Sequence, residues 1–397
     1  MKKFIILTLV CLLLLSSIAL ASKSRFRSLG SSIAVIDDSN IEAFPSRLIE
    51  FSNLAYADFD DYNYTDSYND VFYGFGMNWM IDNDSKWTMG MYFETLPLSD
   101  WGSDELPFGY NQIPSFGFSN DYLNSRITFY YARPVGNNNL GFKFMYHNAS
   151  SKYSNDTPYD DEESLKNMNF TLGLTEGSGQ WDAAVMFGTG SFTNDTLGAP
   201  VNEADGISQF GFMGRYFKVQ NPNYTLVPHA GFMTSKFGWT STDEAEEFKG
   251  SLFDLGCGVN FTPSNNVLAV FDFGLAFSSY EEIYTDKVTP ANSDEYKETF
   301  NTLPYFILGL DAEVFKWLDV RFAVRSDWHN EKDEYSVNSQ VWEYGYAYNE
   351  TSVGLGFHWN RLHIDTEANP EFFLYGPDFL SGADEDMAFS MSAVYEL

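Results

Sequence analysis

The chain has 397 residues, a length that suits two or three ordinary domains or one large barrel. Its 55 Asp and Glu outweigh 23 Lys and Arg, and the net charge of −32 excludes the basic footprint that nucleic-acid binding needs. Aromatic residues make up 18% of the chain, which excludes a disordered polymer, since disordered segments are poor in rings.

The chain opens with Lys2-Lys3, an apolar run over 4–15 and a small-residue site at 19–21. This order predicts a secretory signal peptide over 1–21 with cleavage before Ser22; an apolar core this short does not span a bilayer. Cys11 leaves with that peptide, which makes Cys257 the only thiol of the mature chain and excludes an internal disulfide. Cys257 reads as an inert apolar side chain.

Residues 22–46 read as a periplasmic or lumenal segment, and 47–397 as one all-β unit. Helical periodicity is scarce after the signal, and no apolar stretch of 18 residues follows it. Period-2 alternation recurs instead. Val71, Tyr73, Phe75, Met77, Trp79 and Ile81 oppose Gly74, Gly76 and Asn78. The same pattern places Phe142 against Gly141 and Lys143, Leu255 and Val259 against Asp254 and Gly258, and Phe271 and Phe273 against Asp272 and Gly274. Turns rich in Asn, Gly and Pro fall at 82–85, 135–139, 176–180, 219–224, 263–266, 316–317 and 360–362. Longer polar connections are expected at 97–124, 151–166, 192–206, 237–247, 280–299, 331–349 and 376–385.

Short and long connections in alternation are the rhythm of an up-and-down transmembrane antiparallel β-barrel. Fifteen strands are expected from residue 70 onward, and 47–59 supplies a first, giving about sixteen, with fourteen the alternative count. The competing fold is a secreted β-sandwich. Against it stand the lack of any linker over 47–397 and an inner face that is small and wet while the outer face is large and aromatic.

In the last strand, Met387, Phe389, Met391, Ala393, Tyr395 and Leu397 share one face. Lipid-facing, they would close the barrel against the first strand and leave no free edge. The run resembles the C-terminal signature of bacterial outer-membrane proteins, with Leu397 in place of the final aromatic.

The segment "RSLGSSIAVIDDSNIEAFPSRLIEFSN", 27–53, resembles the opening of the FadL-like long-chain fatty-acid transporter superfamily and its PorV/PorQ-like relatives. Gly30, Ala34, Asp37, Asp38, Ile41 and Pro45 carry the likeness; Phe44 stands where the asparagine would be and Ser46 where the alanine would be. The stretch "LYGPDFLSG" at 374–382 is also similar to barrels of this kind. The resemblance implies that residues 22–46 plug the lumen, with Gly30, Asp37, Asp38 and Pro45 as plug residues.

Arg126, Lys143, Arg215, Asp254, Asp272, Asp311, Arg321, Arg325, His358, His363 and Asp365 are expected to line the lumen. Opposed inward charges either build a transverse field that sorts solutes or pair across a filled interior. All five histidines fall on the inner face or its loop extension without close pairing, which favours polar lining over a metal site. His363 and Asp365 share a face as a base and its orienter would. No serine nucleophile accompanies them, and no enzyme and no cofactor are expected. The acidic stretches at 156–164, 242–248 and 382–387 lack calcium-loop spacing and read as a solvated negative rim.

Together these features predict a protein of the Gram-negative bacterial outer membrane, a passive porin-like or FadL-like channel for small or hydrophobic solutes. The alternative is a non-conducting scaffold that binds a partner in export or surface attachment. Expected partners are outer-membrane lipid, the barrel-assembly machinery and an unidentified small solute.

Overall fold

Large and small side chains in alternation leave each segment one apolar face and one polar face, a pattern that only a half-buried strand satisfies. The computed structural model describes residues 23–62, 70–82, 84–95, 123–154, 160–196, 202–204, 206–240, 244–288, 293–336, 340–368 and 388–397. The strands are β1 (Leu54–Tyr62), β2 (Asp70–Asp82), β3 (Trp87–Thr95), β4 (Leu123–Val135), β5 (Asn138–Ser154), β6 (Asp160–Glu176), β7 (Trp181–Thr196), β8 (Asn202–Ala204) and β9 (Ile207–Tyr216). They continue with β10 (Lys218–Asn221), β11 (Tyr224–Thr240), β12 (Glu244–Ser264), β13 (Val267–Asp286), β14 (Asp294–Phe315), β15 (Leu318–Tyr335), β16 (Gln340–Trp359), β17 (Leu362–Ala368) and β18 (Ala388–Glu396).

All strands belong to one antiparallel sheet of 18 segments. Segments β8, β9 and β10 lie end to end beside β11, so they form one interrupted stave, and the barrel has 16 staves. The ring closes where β1 pairs with β18, from Leu54↔Glu396 to Tyr62↔Ala388, while its other edge pairs with β2. The Leu397 amide donates to the Asn53 carbonyl at 2.8 Å, which carries the closure to the last residue.

The outer face is apolar. Phe75, Leu255, Phe271, Phe273, Leu308, Phe322, Trp328 and Met391 are all exposed on the protein surface, and contact with hydrocarbon removes the cost that water would impose on them. Near the short turns, Phe315 stacks on Trp317 at 5.7 Å and Phe357 on Trp359 at 5.6 Å, forming part of an aromatic girdle. A closed, even-numbered antiparallel ring with an apolar outer band is the architecture of the bacterial outer membrane, where it leaves no unpaired backbone in lipid.

Two expectations need correction. The first strand begins at Leu54, because Pro45–Ile49 is a 3-10 turn; residues 47–53 therefore belong to the segment that precedes the barrel. The connections expected at 151–166, 237–247, 280–299 and 331–349 are largely strand. Staves β12 to β16 run for 18 to 22 residues, whereas about 9–11 suffice to cross a bilayer. Beyond the lipid both faces are wet, so amphipathic alternation fades while backbone pairing continues. Residues 1–21, most of 97–124, the 374–382 stretch and Met387 lie outside the described residues, as do 382–387 and parts of the other two acidic stretches.

The outward face shows where lipid ends. Phe253 pairs with Phe277, the next outward pair is Ser251 with Ser279, and the next is Lys249 with Glu281, which form an ion pair at 3.1 Å. Leu308→Arg should destabilise the barrel by roughly 2–4 kcal/mol, the depth-dependent cost of a cation facing hydrocarbon, and Ser279→Arg by about 0–1 kcal/mol. Urea titration of the protein folded into vesicles, followed by tryptophan fluorescence, measures both.

Candidate functional site

The segment preceding β1 fills the short-turn half of the lumen. Its first element is α1 (Lys23–Ser28), whose Ser24, Phe26 and Ser28 are buried. The chain then reverses at Gly30, whose φ of +74° favours glycine and where a Cβ would meet Ile307 at 2.5 Å. A 3-10 turn at Asp38–Ile41 is capped by Asp37, which accepts from the Ser39 amide at 3.1 Å while Asn40 accepts from the Asp37 amide at 3.1 Å. The second turn, Pro45–Ile49, starts with proline, whose fixed φ suits a first helical position.

Side chains tie this plug to the wall all around the ring. Lys23 pairs with Glu94 on β3 at 2.8 Å, and Ser24 bonds Ser392 on β18 at 2.9 Å. Arg25 bridges Asp37 within the plug at 2.9 Å and Asp311 on β14 at 3.1 Å. Ser32 donates to Asp272 on β13 at 2.7 Å, and Asn260 on β12 donates to the Ala34 carbonyl at 2.8 Å. On the opposite side, Lys143 on β5 donates to the Glu42 carbonyl at 2.6 Å and pairs with its carboxylate at 3.0 Å.

The densest knot is Asp182 on β7. Arg47 of the plug reaches it at 2.9 Å and Arg215 of β9 at 2.7 Å, with all three side chains almost wholly buried. Arg215 also donates to the Ile33 and Val35 carbonyls at 2.6 and 3.0 Å and lies over the Phe44 ring at 4.7 Å. Arg47 also pairs with Glu50 at 2.7 Å, so two guanidiniums meet two carboxylates and the knot is balanced in charge. Around it pack Ile33, Ala43, Phe44, Ala184, Met186, Met213 and Met233.

The small residues of the inner face make room for the plug. A Cβ at Gly141 would lie 2.1 Å from the Ser46 amide, and one at Gly258 would lie 2.2 Å from Ala34. The inner face is small at these points because main chain passes directly over it.

The expected lumen residues all face inward, and each described contact ends on the plug or on a neighbour. Arg126 pairs with Glu94; Lys143 and Arg215 hold the plug as above. His229 sits between Asp254 at 3.4 Å and Asp272 at 3.0 Å. Arg321 gathers Asp311 and Asp319, each at 3.1 Å, and Asp365; Arg325 pairs with Asp327 at 2.8 Å. The base-and-orienter reading of His363 and Asp365 fails, because Asp365 is held by Arg321 while His363 bonds His358 at 2.8 Å. That bond also corrects the expectation of unpaired histidines. Among the plug candidates, Asp37 caps a turn, Gly30 makes a reversal and Pro45 packs on Gly173.

Sequence reasoning passed over Arg25, Glu42, Arg47 and Asp182. A signal existed: Lys23, Arg25, Arg27 and Arg47 crowd one short stretch of a strongly acidic chain. Burial raises the Glu42 carboxyl, but Lys143, Arg126 and the Tyr130 hydroxyl outweigh it and bring its pKa down to about 2. Asp38 differs. Burial, and then the neighbouring Asp37, push its pKa well above the usual carboxylate range, and no cation pairs with it among the described residues.

No family model matches this chain, and no curated protein matches it. Among solved structures it is similar to CdiB from Acinetobacter baumannii, at 12% identity and TM-score 0.46 over 87% of this chain and 60% of that one. It is also similar to CdiB from Escherichia coli, at 9% identity and TM-score 0.44 over 86% and 63%. A third is the ferric yersiniabactin uptake receptor FyuA from Yersinia pestis, at 8% identity and TM-score 0.38 over 87% and 80%. The chain spans about three fifths of the length of the CdiB proteins.

Asp182→Ala should free the plug, because it removes the carboxylate that Arg47 and Arg215 share and leaves the buried Arg215 guanidinium without an anion, at a cost of about 3–5 kcal/mol. The check is hydrogen exchange, which should accelerate in residues 23–53 and stay slow in the staves. Asp38 supplies a pH test. Its raised folded pKa means the folded plug holds the proton more tightly than the unfolded chain, so plug stability falls as pH rises from the ordinary carboxylate range toward that pKa. Asp38→Asn should therefore leave stability unchanged near pH 4 and increase it at pH 8 by on the order of 1–3 kcal/mol, flattening the pH profile. Thermal unfolding at the two pH values measures it.

Proposed function

We propose that this protein is a plugged uptake barrel of the outer membrane, which admits a small solute when residues 23–53 shift within the lumen. The observation that carries this reading is the plug itself. It is bound through discrete polar contacts to staves on every side, while among the described residues its apolar side chains fall into separate clusters around Leu48, Phe44 and Leu29. Polar contacts of this kind exchange with water at modest net cost when a segment moves, whereas a continuous apolar core does not. Outer-membrane barrels carry their short turns on the periplasmic side, which supports a plug at the periplasmic mouth. The likeness of 27–53 to the FadL-like opening segment supports a gated path over a permanently open porin.

The second reading is a closed barrel that serves as a scaffold, and the buried Arg47–Asp182–Arg215 knot favours it because opening would expose or strand three charges. Planar-bilayer recording separates the two. The intact barrel should open rarely, and a variant lacking residues 23–46 should conduct steadily, with its folding confirmed by heat-dependent gel mobility. A folded deletion variant that stays silent removes the uptake reading and leaves the scaffold.

A further inference from the structure

Above the lipid band, the two faces of the tall β12–β16 wall carry different chemistry. Outward positions alternate charges that pair with each other, as Lys332 and Glu334 do at 2.5 Å. Inward positions alternate carboxylates with rings. The register sets Glu298 between Tyr280 and Asp333, with Trp342 beyond, and sets Glu331 between Phe300 and Tyr344.

The rings are in contact across staves. Tyr296 lies 4.8 Å from Tyr335, Phe300 lies 4.6 Å from His329, and His329 lies 5.1 Å from Tyr346. The phenols hold the carboxylates in place: Tyr296 donates to Asp333 at 3.1 Å and Tyr346 to Glu331 at 3.3 Å. Trp342, Tyr344 and Tyr346 are each about half exposed, at 50%, 46% and 48%.

Among the described inward positions of this wall, the first arginine or lysine below it is Arg325, which is already paired with Asp327 at 2.8 Å. Among the described residues Glu282, Glu298, Glu331 and Asp333 therefore face the vestibule with no arginine or lysine paired to them on that face. Three acidic or histidine side chains do not converge among the described residues, so a bare metal ion has no cage here. A ring face attracts a cation through its quadrupole, and most strongly a bulky, weakly hydrated one. Rings that alternate with carboxylates suit a cation whose charge is wrapped in carbon.

We propose that this wall is a binding site for organic ammonium ions, reached from outside the cell. The proposal rests on the uptake reading for its purpose, but binding is measured without transport, so a silent bilayer recording does not decide it. Isothermal titration of the full-length protein in detergent with benzyltrimethylammonium should give saturable binding that weakens with added salt. Benzenesulfonate, of similar size and opposite charge, and an uncharged disaccharide should give none. Glu298→Gln with Asp333→Asn should weaken binding about tenfold, and so should Tyr344→Ser with Tyr346→Ser. All four positions lie above the lipid band, and heat-dependent mobility verifies the fold. No saturable heat with the ammonium, equal binding of the sulfonate or the disaccharide, or unchanged affinity in both variants overturns the proposal.

Discussion

Hydrocarbon offers no hydrogen bonds, so a sheet that enters it must satisfy every amide and carbonyl internally. The β1–β18 ladder meets that demand, and much else follows from it. A ring of 16 staves encloses more space than its own side chains can fill, unlike a barrel of eight. The interior must then hold either water or another part of the chain. Here the short-turn half holds the residues just before the first stave.

Filling a polar lumen differs from filling a core. The inner wall is studded with charges, and a purely apolar plug would leave them buried and alone at several kcal/mol each. The segment answers with charges of its own. Arg25 reaches Asp311, Lys23 reaches Glu94, and Arg47 reaches Asp182, while Glu42 meets Lys143. Asp38 breaks the pattern, a buried carboxyl beside Asp37 with no cation on it among the described residues, so that burial and its acidic neighbours favour the protonated form.

The staves are unequal in height. Among the described residues β1 and β3 span 9 residues and β14 spans 22, and the β12–β16 side of the ring rises well beyond the membrane. The tall side changes its outer surface from rings to paired charges at the level of Ser251 and Ser279, whereas its inner surface keeps its rings and adds carboxylates. A wall exposed to water on both faces has no hydrophobic reason to place aromatics on one of them, and rings interleaved with carboxylates are the chemistry that holds a carbon-wrapped cation.

Much of this was legible in the sequence. Phe271 and Phe273 against Asp272 and Gly274 reveal a strand with lipid on one side and polar space on the other, because side-chain direction has period two whatever the neighbours are. The rhythm of turns pointed to about sixteen staves with fourteen the alternative, and the inward parity of Lys143, Arg215, Asp272 and Arg321 followed from the period-two rule. Strand pairing above the membrane was not legible, since Tyr280, Glu298 and Asp333 sit where both faces are wet and alternation no longer separates strand from loop. Nor was the partner of any inward charge. Asp365 lies two residues from His363 yet bonds Arg321 on a stave 44 positions away in sequence, because curvature and register, set only when the ring closes, decide which inward groups meet. Local periodicity determined which way each residue points; the closed tertiary structure decided what it finds there.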